Sequence, residues 1–360
     1  MKEKKSILDL NISISRISLV QMAIFAKNLS LMLKAGLTIS ESIEINRDQS
    51  TGKLRKVLGE VLSSIEAGQS LSNSFARCPK VFSNLFIDIT RVGEMSGTLE
   101  ENLSNIANHL EKEKELSAKI KGAMFYPIIV IVAASLLGLG MAFFILPKIT
   151  PLFVGLKMQL PLSTRMLIWV SNLIRTQGIW LLVGVVAVVL FFIWLVKQKF
   201  SHPATHWLLI KTPIVKKIVC YSNLAKFNRT LGTLLRSGLN IDEALDITAH
   251  TISNYYFKKS LSGVVKRVSK GSKLAGSLEQ SSNLYPIITT RMISVGEKSG
   301  KLEENLFYLA NFYETEVDNS TKALSTVIEP VLLLIIGLSV AFLALSIITP
   351  IYQITGNIQR

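Results

Sequence analysis

The sequence is poor in the residues that staple small folds or carry out catalysis. Its 360 residues hold two cysteines, Cys78 and Cys220, with no Cys-x-x-Cys pair and no accompanying histidine spacing, so neither a disulfide framework nor a zinc site is on offer. Histidine is almost as scarce. His202 and His206 stand four apart, but Pro203 lies between them and no nearby carboxylate or cysteine completes a ligand set, so they read as interfacial histidines. His109 and His250 are isolated. No G-x-S-x-G or H-E-x-x-H occurs, so no nucleophile can be named; no enzyme is expected, and no cofactor. Charged residues make up only 18% against 49% apolar, which excludes a disordered acidic chain and fits poorly with one compact soluble domain.

The apolar residues are concentrated in three runs. Residues 124–146 contain no charge and as a helix would reach about 34 Å, enough to cross a hydrocarbon core of about 30 Å. Residues 179–196 are uncharged and bracketed by Trp180 and Trp194, the aromatics that favour the two interfaces of a bilayer. Residues 327–349 carry a single carboxylate, Glu329. An N-terminal signal peptide is not expected, because Asp9 and Asn11 interrupt the basic start before any sustained apolar core. The segment before the first run holds 17 basic and 14 acidic residues, and residues 197–326 hold 18 and 10. Basic excess is retained in the cytoplasm, which puts both polar segments there and the intervening loop and the tail outside.

An internal repeat explains the number of spans. Phe25–Ile43 aligns with Phe227–Leu245 at an offset of 202, and from Val92 onward the offset is 203. VGEMSGTLEENL, starting at Val92, matches VGEKSGKLEENL, starting at Val295, at 10 of 12 positions. Self-similarity on this scale defines a structural unit: a polar lobe followed by one outward span, with the unpaired middle span returning the chain. Within each lobe Phe25, Leu29, Met32 and Leu33, and likewise Phe227, Leu231, Leu234 and Leu235, recur at helical spacing. Leu99, Leu103, Ile106 and Leu110 form a second stripe, echoed by Leu302, Leu306, Leu309 and Tyr313. The expected fold is an all-α membrane protein with two homologous cytoplasmic helical-bundle domains and three transmembrane helices. Its parts are a basic arm (1–19), a first lobe (20–123), a span (124–146), an external loop (147–178), a return span (179–196), a second lobe (197–326), a third span (327–349) and an external tail (350–360).

Several motifs invite chemistry. GEKSGK, from Gly296, has its glycines four apart, lacks a following Ser or Thr, and is GEMSGT in the first copy; it reads as a turn rather than a phosphate cradle. There Gly97 and Gly300 bend the chain, and Glu100, Glu101, Glu303 and Glu304 suit the positive start of the next helix. Glu329 is read as lying in the first turn of its span, either structural or binding a partner or coupling motion. Pro127 and Pro330 either open the span helices or kink longer ones. Ala134 with Gly138, and Gly337 with Ala341, give small-xxx-small spacing, which permits close helix approach within the chain or to a foreign transmembrane helix. Lysines of the second lobe are dispersed among acids, which argues for lipid headgroups and against direct nucleic acid binding. The lysine-rich start, Lys2, Lys4 and Lys5, reads as an arm for a membrane surface or partner.

Two lobes bearing VGExSGxLEENL, a proline in the first turn of each outward span and a return span between them resemble the type II secretion F / type IV pilus assembly platform family (GspF/PilC). The resemblance implies a multi-pass inner (plasma) membrane platform of a pilus or pseudopilus machine, with six-helix lobes that engage a hexameric assembly ATPase. It further implies a membrane part that receives pilin or pseudopilin subunits, other inner-membrane assembly proteins as neighbours, and a homo-oligomer. Gly93, Glu94, Gly97, Gly296, Glu297 and Gly300 fall on the family's turn, and Glu329 and Pro330 on its final-span entry. A competence pseudopilus platform is the overlapping alternative. A small transporter or channel subunit is the more distant one, since that class wants polar groups at mid-membrane.

Overall fold

The computed structural model describes residues 17–145, 148, 162–198, 205 and 213–358, and its regular structure is helical throughout. Residues 1–16 of the basic arm, His202 and His206 lie outside the described residues, as do most of 147–161 and the last two residues. The chain divides into two compact units, 1–118 with 217–317 and 119–216 with 318–360.

The first unit contains the helices of both repeats as far as Ala118 and Val317. In the first repeat α1 (Leu19–Lys34), α2 (Ile39–Gln49), α3 (Gly52–Glu66), α4 (Leu71–Ala76) and α5 (Asn84–Ser96) lead into α6 (Leu99–Gly140). After α7 (Leu162–Lys197), the second repeat runs through α8 (Pro213–Arg236), α9 (Ile241–Thr251), α10 (Tyr255–Val268), α11 (Leu274–Glu279) and α12 (Ile287–Ser299) into α13 (Leu302–Ile358). Several of the short helices start where the sequence supplies an acceptor for orphaned N–H groups. Ser18 with Gln21, and Thr38 with Glu41, form reciprocal capping boxes on α1 and α2. Gly36 and Gly238 follow α1 and α8 with φ of 88° and 92°, the left-handed region that a Cβ strains.

Packing follows the two hydrophobic stripes. Leu103, Ile106 and Leu110 of α6 and Leu306, Leu309 and Tyr313 of α13 are all buried. The first lobe closes around Phe25, Phe75, Phe82 and Phe86, with Phe75 and Phe82 centroids 4.2 Å apart. The second uses Phe227, Phe257 and Tyr285 at centroid distances of 6.1 and 5.8 Å. Edge-on and offset rings of this kind add to the area they bury.

The second unit holds the rest of α6 and α13 together with α7. Two helices, Leu99–Gly138 and Leu302–Ser346, contain stretches long and apolar enough to cross a membrane, and those stretches bury 6% and 0% of their residues inside the protein. The third apolar run, 179–196, lies in α7, whose helix begins at Leu162, earlier than the expected loop allows, and deviates at Gln177 (φ −130°, ψ 17°). α7 packs against a π-helical turn at Met141–Ile145.

Two readings of the span entries need correction. Pro127 and Pro330 open neither helix, because both lie inside helices that began at Leu99 and Leu302. A proline removes one ladder hydrogen bond at a cost of about 3 kcal/mol, and here the flanking turns hold the helix together. Glu329 consequently is not in a first turn. It stands about seven turns beyond Leu302, where the dipole of the helix start no longer favours a carboxylate. Its side chain is exposed, as is Pro330, whereas Pro127 is buried.

Candidate functional site

The repeated turn is built from three devices. Gly97 and Gly300 end α5 and α12 at φ 72° and 71°, and each cap N–H returns to the carbonyl of Gly93 or Gly296. Gly93 and Gly296 are buried where the next helix crosses. A Cβ at Gly93 would lie 3.0 Å from Leu99 Cα, and one at Gly296 would lie 2.8 Å from Leu302 Cα. A Cβ at either position would force the crossing helices to shift apart.

The third device is the glutamate. Glu94 does not face its own turn. Its carboxylate reaches back to the start of α4, where it accepts from Leu71 N (2.5 Å), Ser72 N (3.0 Å) and the Ser72 hydroxyl. Glu297 does the same for α11, accepting from Leu274 N at 2.6 Å and Ala275 N at 3.2 Å. An anion that takes two orphaned N–H groups also meets the positive end of the helix dipole. The lysine at the α11 cap, Lys273, contributes no side-chain cap bond, so Glu297 carries the anchoring there.

Asn102 and Asn305, which sequence reasoning passed over, complete the turn. Asn305 Nδ2 donates to Met292 O at 3.0 Å, and Asn102 Nδ2 lies 3.5 Å from Ile89 O and 3.4 Å from Ser237 O. Ser237 belongs to the other repeat, and around that contact the two lobes meet. α6 of the first repeat packs along α8 of the second, with Glu113 and Lys226 paired at 2.7 Å and His109 Nδ1 3.4 Å from Thr233 Oγ1. Val92 of α5 closes the end of the junction against Gly238.

His109 is therefore not isolated, as its sequence context suggested. It is buried between repeats, and burial pushes its pKa down to about 4, with Lys226 and Arg229 adding to the effect and Glu113 opposing it. Beside it lies a cavity of about 350 Å³ lined by Lys112, Arg229, Arg236, Phe307 and several amides. Arg236 sits 4.0 Å from the Phe307 ring centroid and Arg229 5.6 Å from it. Both guanidiniums are held by carboxylates, Arg229 by Glu314 at 2.7 Å and Arg236 by Glu303 at 2.5 Å. Among the described residues no three histidine, cysteine or carboxylate side chains gather as metal ligands would.

The span residues are placed differently. Ala134 and Gly138 lie on α6, Gly337 and Ala341 on α13. Nothing among the described residues lies within 4 Å of where a Cβ would stand at Gly138 or Gly337, so the in-chain reading of these small pairs finds no contact at the glycines.

The repeat itself decides the relationship. A model of the type II secretion system protein F family matches the chain twice, over residues 25–147 and 227–350. The chain belongs to this family. Among members of the family, the type IV pilus assembly protein PilC of Thermus thermophilus is 35% identical over 345 residues, covering 94% of this chain and 84% of that protein. PilC of Pseudomonas aeruginosa is 32% identical, with 94% and 91% covered. The type II secretion system protein F of Vibrio cholerae is 28% identical, with 96% and 85% covered. The secretion system protein F match begins at Phe25 and at Phe227, the first core aromatic of each lobe, and takes in the turn of both repeats.

Proposed function

We propose that this chain is the inner-membrane platform of a type IV pilus or type II secretion assembly machine. In this reading it couples a cytoplasmic hexameric ATPase to insertion of pilin or pseudopilin subunits, and it works as a homo-oligomer without catalysing a reaction itself. The double family match over two polar lobes and their apolar helices carries the reading. The relatives named for pilus assembly reach 35% identity and those named for secretion 28%, which favours a pilus.

Chain topology supports the same picture. Both lobes occupy the cytoplasm, α6 and α13 cross outward, and α7 returns as the third span, so the tail ends outside. The lobes offer the ATPase a basic helical surface, and α6 and α13 contribute residues to both units. The small pairs at Ala134, Gly138, Gly337 and Ala341, with no close neighbour at the glycines among the described residues, are the surface on which a foreign subunit helix packs, and the exposed Glu329 is the polar group it passes. Gly93, Glu94, Gly97, Gly296, Glu297 and Gly300 serve by holding the lobes in shape for the ATPase, and Pro127 and Pro330 by setting the helix paths.

Crosslinkers placed at Gly138 or Gly337 in cells that assemble pili test this directly. Adducts with pilin-like subunits are the expected result, and adducts with this chain alone would overturn it. Labelling at Lys56 and Lys266 from opposite sides of the membrane tests the topology, with both reached only from the cytoplasm.

A further inference from the structure

The junction between the two lobes joins unlike faces. α5 and α6 of the first repeat meet α8 and its C-terminal glycine in the second, through Val92 with Gly238, His109 with Thr233 and Glu113 with Lys226. If the lobes met about a twofold axis, each contact would occur twice. The second set would join Val295 to Gly36 and Phe312 to Leu31, by the repeat offsets of 203 and 202.

That second set is open. Val295 is 55% exposed and Leu31 53%, and among the described residues nothing lies within 4 Å of where a Cβ would stand at Gly36. The junction is thus heterologous, and such an interface leaves one unsatisfied face at each end of the pair. Both open faces are also more apolar than their buried counterparts. On the leading face of lobe one, Leu31 and Ile24 stand where the junction has Thr233 and Lys226; Ile24 is 54% exposed. On the trailing face of lobe two, Phe312 and Tyr308 stand where it has His109 and Asn105, and Tyr308 is 55% exposed.

We propose that these two faces dock onto each other between copies of the chain, α1 of one copy against α12 and α13 of the next, repeating the internal junction from chain to chain. Leu31 meets Phe312 and Gly36 meets Val295, while Glu316 and the apolar Ile24 stand where the internal junction pairs Glu113 with Lys226. The smallest closed form is a dimer with two such contacts, a ring of four lobes. This gives the homo-oligomer of the proposed function its surface, and it rests on that part of the reading.

The experiment uses the full-length chain with Cys78→Ala and Cys220→Ala. One copy carries Leu31→Cys and a second, co-expressed copy carries Phe312→Cys, and the membranes are treated with a short bis-maleimide. A crosslinked dimer is expected only when both copies are present. Absence of that product, or self-crosslinking of the Leu31→Cys chain alone, overturns the interface. A chain carrying both Glu113→Cys and Lys226→Cys, which should link internally, verifies the junction in the same background. The purified wild-type complex should have the mass of at least two chains, and Leu31→Arg should reduce it to one without changing the unfolding temperature. A single-chain mass for the wild type would refute self-association altogether. A multi-chain mass that survives Leu31→Arg would refute this interface alone.

Discussion

Replacing Glu297 by alanine removes the acceptor for two N–H groups at the start of α11, at 2.6 and 3.2 Å. Hydrogen bonds to a charged group contribute about 1.5–3 kcal/mol each, and both are part-buried, so water replaces some of the loss. The expected cost is roughly 2–4 kcal/mol. A unit of this size shifts by about 2–4 °C per kcal/mol, which gives a fall of roughly 5–15 °C in the unfolding temperature. Glu297→Gln keeps one acceptor oxygen and should lose about half as much. The protein carries its own reporters, since Cys78 and Cys220, one in each lobe, are both half-buried thiols outside any disulfide. In a Cys78→Ala background, heating the detergent-solubilised protein with a thiol-reactive dye reads the second lobe through Cys220. Glu304→Ala is the control, because that first-turn carboxylate and its partner Lys301, 3.6 Å away, are 68% and 66% exposed, and such surface pairs contribute little. If Glu297→Ala melts with Glu304→Ala, the carboxylate does not anchor α11 and the account of the repeated turn is wrong.

Gly296→Ala sets a helix-propensity gain of about 1 kcal/mol against a Cβ 2.8 Å from the Leu302 backbone, where overpacking costs about 1–3 kcal/mol; a net loss read through Cys220 is expected. Gly300→Ala should lose about 1–2 kcal/mol through its left-handed φ alone, without shifting hydrogen-exchange protection of the α12–α13 contact, which Gly296→Ala should weaken. His109 binds its proton near pH 6.5 when unfolded and near 4 when folded, so the unfolded state holds more protons between those values. Stability should be flat above about pH 6.5 and fall as pH drops towards 4, by up to ~3 kcal/mol, and His109→Gln should flatten that window in unfolding temperature against pH.

The repeat, the helical lobes and the left-handed glycines were legible in the sequence because each leaves a periodic or local trace. Glu94 and Glu297 left none that named their task, since the helices they cap each start 23 residues upstream. His109 looked isolated because its neighbours, Thr233 and Lys226, belong to the other repeat. Glu329 was misplaced for a different reason. A proline beside an apolar run reads as a helix start, yet the preceding polar turns of α13 are helical too, so the change in hydropathy at that point marks a change of solvent and not of backbone.

Two duplicated lobes that met like to like would put the same patch of both into one contact and leave no counterpart face open. The junction described above joins unlike faces instead. Lys226 answers Glu113 across it, while the same position in the first repeat carries Ile24. The duplication therefore yields a chain with direction, and not merely a doubled body.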